Sequence, residues 1–127
     1  MLETKTEGAR NLAFVLSEGN GKISRDVVTI ASGAGKLEAG TVLGRITASE
    51  NYVASPAAEV VGKEGAETAM AVLAYRVDAT SEDVEAVVIA RHAEVKEPML
   101  VFDATVDNAS KIAAKLEQLS AATIIAR

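Results

Sequence analysis

The residues of this chain best suited to catalysis are His92, its only histidine, and the sequence-distant Ser24 and Asp103. A serine nucleophile, an imidazole base and an orienting carboxylate make a site only where all three converge. An imidazole that binds metal needs further ligands beside it. Nothing in the spacing brings such companions to His92, which follows an apolar strand pattern and reads as a surface or strand-end residue. Gly33-Ala34-Gly35, followed by Gly40 and Gly44, is the second candidate, a loop cradling phosphate. Such loops place a helix N-terminus after their glycines, and the P-loop adds a Lys-Ser/Thr pair. Here a strand pattern follows Gly40 and the pair is absent, so the glycines read as turn residues. The third candidate is acidic: Asp103 and Asp107, with Asp78, Glu82 and Asp83 elsewhere, as a hard-cation site or an acid–base pair. Neither group has calcium-loop spacing. Asp-Ala-Thr occurs twice, at 78–80 and 103–105, where strand patterns end, and reads as turn and capping chemistry. The expectation is a protein that is not an enzyme, with no catalytic residue, cofactor or metal.

Composition narrows the field in the same direction. The chain's 127 residues suit one domain with a real core. Hydrophobic residues make up 49% and aromatics only 3%, so the core must be built from Val, Ile, Leu and Ala. A net charge of -5 gives no electrostatic footprint for nucleic acid, which needs clustered Lys and Arg. The absence of cysteine excludes disulfides, zinc-thiolate sites and cysteine nucleophiles. Residues 1–12 lack a continuous apolar segment of the signal-peptide kind, and no apolar run reaches the ~18 residues of a membrane span. The expectation is a soluble, unprocessed protein that touches neither nucleic acid nor membrane.

The elements that would position these side chains are mostly strands. Residues 12–16 read as a short extended segment closed by a turn at Glu18-Gly19-Asn20-Gly21. Residues 26–31 alternate with β-branched side chains, and 41–47 form the next strand, apolar on both faces near its middle. Asn51-Tyr52-Val53 is a short strand and Ser55-Pro56-Ala57 a loop. The runs 69–77 and 84–91 read as two strands that pair antiparallel. After the apolar run 99–102 comes one helix, capped by Asp107, with Ala109, Ile112, Leu116 and Leu119 on its core face and Lys111, Lys115 and Gln118 outside. Thr123-Ile124-Ile125 forms the last strand. The predicted class is mainly β with one α-helix (α+β).

The N-terminus invites a functional reading. Residues 1–11 carry no repeating apolar face and cannot bury enough area to offset their ordering entropy, which predicts a mobile arm. The extended segment beyond it, with Leu12, Phe14 and Leu16, suits strand addition to the exposed sheet edge of a partner, alternate side chains filling pockets. It suits equally the first strand of the chain's own fold. The expected division is an arm over 1–16 that binds a partner through Leu12, Phe14 and Leu16, and a body over 17–127.

Several blocks resemble a known family. They are Ser24-Arg25-Asp26-Val27-Val28-Thr29-Ile30-Ala31, Gly33-Ala34-Gly35, and Leu37-Glu38-Ala39-Gly40-Thr41-Val42-Leu43-Gly44-Arg45-Ile46. Val77-Asp78-Ala79-Thr80, Val87-Val88-Ile89-Ala90-Arg91, Ala93-Glu94-Val95 and the terminal Ile124-Ile125-Ala126-Arg127 follow in order. Together they resemble the head decoration proteins of tailed bacteriophages, the lambda-D-like group, over nearly the whole chain from Phe14 on. The resemblance implies a compact β-clip-like domain that forms homotrimers on the outer surface of the expanded capsid. There it would clamp neighbouring subunits of the major capsid (coat) protein, using the N-terminal arm to add to coat strands. The competing classes are a small β-barrel ligand-binding module and a structural subunit of another assembly. A monomer with a concave polar pocket would mark the former.

Overall fold

The computed structural model describes residues 11–127. Five strands close a barrel in the order β2 (Arg25–Ile30), β5 (Tyr52–Ala54), β4 (Val42–Arg45), β6 (Ala69–Leu73) and β8 (Val84–Ile89). Its longest ladder is antiparallel, β2 on β8, running from Arg25 opposite Ile89 to Ile30 opposite Val84. A second layer is a three-stranded sheet of β1 (Val15–Glu18), β9 (Ala93–Val95) and β10 (Ile124–Ala126), with β9 in the middle, antiparallel to β1 and parallel to β10. A two-stranded ribbon, β3 (Gly35–Leu37) on β7 (Val77–Ala79), completes the β structure. One helical turn, α1 (Gly21–Ser24), leads into β2, and α2 (Ala109–Ala121) precedes β10.

The alternation of side chains along each strand explains why the barrel strands are apolar on both faces. On β4, Leu43 points into a core shared with Ile30, Ala71, Leu73, Ala86 and Val88, which is the barrel interior. Its neighbour Val42 faces the other way, into a core with Val72, Ile89, Phe14, Val95, Leu119 and Ile124 that joins the barrel to the outer sheet and α2. Small residues at Ala71 and Ala86 let so narrow a barrel close without aromatic side chains. A third, smaller cluster of Ile46, Val53 and Ala66 lies under the segment linking β5 to β6. That segment crosses Gly44 so closely that a Cβ there would overlap the Ala66 carbonyl, so β4 needs glycine at this position.

Several sequence expectations hold, and others change for physical reasons. Among the described residues, the mainly β class, the strands at 26–31 and 84–91, the single long helix and the antiparallel pairing of β6 with β8 are as expected. The run 69–77 divides into β6 and β7, because the chain turns at Ala74 and Tyr75. In the apolar run 99–102, a 3-10 turn spanning Glu97–Met99 leads to Val101, which makes one bridge to Thr41. The cap of α2 is Asn108, whose Oδ1 accepts from the Lys111 N–H at 2.9 Å, while Asp107 pairs with the Lys111 ammonium at 3.0 Å.

The largest correction is Lys115, placed by the helical pattern on the solvent face and found 2% exposed. Its Nζ donates to Ser55 Oγ at 2.9 Å, to the Pro56 carbonyl at 2.6 Å and to the Glu67 carbonyl at 2.5 Å. An ammonium has three N–H donors, and here each has an acceptor. Ser55 passes the interaction on, donating to the Ala66 carbonyl at 2.7 Å. Gln118, also expected outside, accepts the Ala69 N–H at 2.8 Å. The polar side of α2 is therefore docked against the ends of the 55–68 segment. Burial pushes the Lys115 pKa down, and the nearby Glu67 and Asp103 carboxylates partly offset this. Replacing Lys115 by Met orphans the Pro56 and Glu67 carbonyls, at about 1–3 kcal/mol for each unsatisfied group, and leaves the Ser55 hydroxyl only its bond to the Ala66 carbonyl. Thermal unfolding of the K115M variant should reveal a loss of about 3 kcal/mol, whereas a solvent-facing lysine would lose almost nothing.

Candidate interaction surface

The conformation of the first described residues depends on their hold on the body. Asn11 Oδ1 accepts the backbone N–H of Arg76 at 3.0 Å. The Leu12 N–H donates to the Ala74 carbonyl at 3.0 Å, and Lys96 N–H donates to the Phe14 carbonyl at 2.6 Å. Phe14 itself is 1% exposed and is among the largest side chains of the core between barrel and outer sheet. Leu12 is half-buried against the same core. Leu16 is 46% exposed. Of the three residues expected to fill a partner's pockets, Phe14 is thus occupied within its own subunit, Leu12 partly so, and Leu16 faces outward. The stretch that begins at Asn11 is anchored at the turn after β6, so Asn11, expected within a mobile arm over 1–11, is bonded to the body, and residues 1–10 of that arm lie outside the described residues.

A charged cluster braces this root. Arg25 grips Glu18 through two bonds, Nε to Oε2 at 3.0 Å and Nη2 to Oε1 at 2.5 Å, and its Nη1 reaches the Tyr75 hydroxyl at 3.4 Å. The fork ties β1 to β2 and to the turn after β6, so three elements around the arm root share one guanidinium. Beside it, Arg91 holds Asp26 with two bonds and caps the Ile23 carbonyl at 2.6 Å.

The candidate catalytic residues do not assemble. Ser24 and His92 do meet, but the buried serine hydroxyl donates to the His92 backbone carbonyl at 3.1 Å and leaves the ring uninvolved. His92 is exposed with φ of +52°. It is a corner residue whose backbone is used: its N–H donates to Thr123 Oγ1 and its carbonyl also accepts from Gly19. Asp103 bonds the N–H and hydroxyl of Thr105, and Asp78 does the same with Thr80, so the repeated Asp-Ala-Thr is one turn used twice. Gly33 and Gly35 lie at the turn from β2 into β3, with no helix following. Among the described residues, no group of three or more His, Cys, Asp or Glu is placed to hold a metal. No helix among them is long and apolar enough to cross a membrane.

The fold defines a class: a small closed barrel carrying an outer sheet and one helix, with its polar side chains committed to holding turns and layers together. The family model for the bacteriophage lambda head decoration protein D matches residues 4–124, and the chain belongs to that family. Its role is accordingly capsid decoration, as a structural component of the phage virion. No curated protein matches the chain.

The brace has a pH signature. The hydrogen bond from Arg25 holds the Glu18 carboxyl below its ordinary value, burial working against it and the Arg25 charge adding to it. A carboxyl whose pKa is depressed by folding contributes stability that is complete above the unfolded value of 4.5 and is lost as pH falls through the lower folded value. In acid titrations followed by circular dichroism, Glu18→Gln should be less stable than the parent at neutral pH. The difference should shrink below pH about 4.5.

Proposed function

We propose that the protein binds as a homotrimer to the outer surface of the expanded head and clamps neighbouring coat subunits, the arm ahead of Asn11 adding to a coat strand. The observation that carries this reading is membership of the head decoration family, set beside an N-terminal stretch anchored to the body at Asn11, Leu12 and Phe14. A peptide arm that orders on binding gives up conformational entropy and binds modestly alone. Three arms on one trimer raise one another's effective concentration, so attachment can be firm without any deep site. The net charge of -5 favours no nucleic-acid partner, and membership of the head decoration family supports the coat protein as the partner.

The test separates the arm from the body. Deleting residues 1–10 leaves Asn11, Leu12 and Phe14 in place, so the truncated protein should melt within a few degrees of the full chain and keep the mass of a trimer by light scattering. Its binding to undecorated expanded heads should fall at least tenfold. Undiminished binding would assign attachment to the body alone, and a monomer at all concentrations would overturn the trimer. Removing Phe14 acts differently. Phe14→Ala should cost about 3–5 kcal/mol of folding stability, measured by denaturant unfolding, because the ring fills the subunit's own core.

A further inference from the structure

Among the described residues, nothing covers an apolar face of the barrel beside the arm root. Val27 on β2, 69% exposed, stands directly opposite Val87 on β8. With Tyr75, Val77, Glu85 and Ala86 they line an open groove of about 340 Å³. Further along β8, Ile89 is fully buried in the core beneath the outer sheet. The outer sheet thus covers one end of β8, and the described residues leave the β2–β8 surface beyond it open. A single exposed valine needs no explanation. Here a cross-strand valine pair, a tyrosine and a third valine line one concavity, which is how an anchor pocket for apolar side chains is built.

Its position narrows the occupant. Asn11 is bonded to Arg76, the residue after Tyr75, and Leu12 to Ala74, whose own N–H donates to the Val87 carbonyl. The arm root and the groove therefore share the Ala74–Tyr75–Arg76 turn, and ten residues of chain precede that root. A partner that pairs with the chain just ahead of Asn11 is held beside the groove. The Tyr75 wall is itself fixed, because Arg25 reaches its hydroxyl while gripping Glu18. A second copy of this chain is the competing occupant, and the mass of the protein in solution separates it from a coat side chain. A groove of this size receives one or two side chains.

We propose that the groove of Val27, Tyr75, Val77 and Val87 is the body's docking pocket for the coat protein, taking an apolar side chain from the same coat subunit that the arm engages. This rests on the coat-binding reading. The pocket and the arm then form one continuous footprint, and each contact raises the effective concentration of the other.

The experiment is binding of Val27→Asp to undecorated expanded heads by co-sedimentation, beside the full chain and the chain lacking residues 1–10. V27D should keep the parent's melting temperature within a few degrees and its solution mass, and should bind heads at least tenfold more weakly with the arm intact. Val27→Ile should bind as the parent does. The chain has no cysteine, so Val27→Cys carries a single environment-sensitive fluorophore whose emission should shift to the blue on heads. This second readout stands even where V27D folds poorly. Parent-like binding by V27D, or emission unchanged on heads, overturns the pocket. A loss of binding together with a drop in solution mass also overturns it, assigning the groove to contact between copies. If the full chain itself fails to bind heads, the coat-binding reading fails, and the pocket with it.

Discussion

A buried ammonium cannot stand without hydrogen-bond acceptors, and Lys115 draws its acceptors from two distant stretches of chain, Ser55 and Pro56 on one side and Glu67 on the other. Those residues lie at the two ends of the segment that leaves β5, crosses Gly44 and enters β6. One side chain on α2 therefore fixes the connection between neighbouring parts of the barrel and the helix's own seat. The apolar stripe of α2 contributes Leu119 to the core, but greasy contact alone allows a helix to slide or rotate. Three directional bonds at its middle do not. The desolvation of Lys115 is the cost of this registration, and satisfying all three donors keeps it bearable.

The same logic of commitment recurs around the molecule. Arg25 spans Glu18 and Tyr75, Arg91 spans Asp26 and Ile23, and Ser24 reaches the backbone of His92. These contacts tie the outer sheet and the first turn to the barrel at the Arg25–Ile89 end of its β2–β8 ladder. Groups of this kind resemble catalytic sets when read from residue types. Their partners are mostly carbonyls and single carboxylates that hold layers in place.

Much of the architecture could be read from periodicity. The strand of Val27, Val28 and Ile30 and the long pattern of 84–91 have alternation strong enough to identify them, and the doubly apolar middle of β4 correctly indicated cover on both faces. Lys115 escaped because helical spacing marks a lysine as outward, and nothing local reveals that carbonyls about 50 residues away will receive it. The cap was displaced by one residue because Asp107 and Asn108 are both good caps, and only backbone conformation decides between them. Leu12, Phe14 and Leu16 posed a harder ambiguity. An apolar alternation states that a strand will be paired and covered, and is silent on whether the cover is its own subunit or another. Here Phe14 is covered by its own core, and the groove beside Tyr75 was invisible because its walls come from β2, β7, β8 and the turn after β6.

What an arm can transmit depends on how it is rooted. A tail joined to a domain by one flexible residue lets its partner pull without stiffening anything. In this chain the root is fastened twice to the turn after β6, through Asn11 and Leu12, and once to the segment after β9, through the Phe14 carbonyl. The Phe14 ring is driven into the core shared by the barrel and the outer sheet. Tension on the residues ahead of Asn11 thus meets the turn after β6 of the closed barrel before it reaches β1, the edge strand of the outer sheet. To extract the root, a force would have to expose a buried phenylalanine along with breaking its hydrogen bonds. Under the coat-binding reading, the early burial of Phe14 makes the arm a fastening: the side chain that seemed suited to the partner instead anchors the point against which the partner pulls.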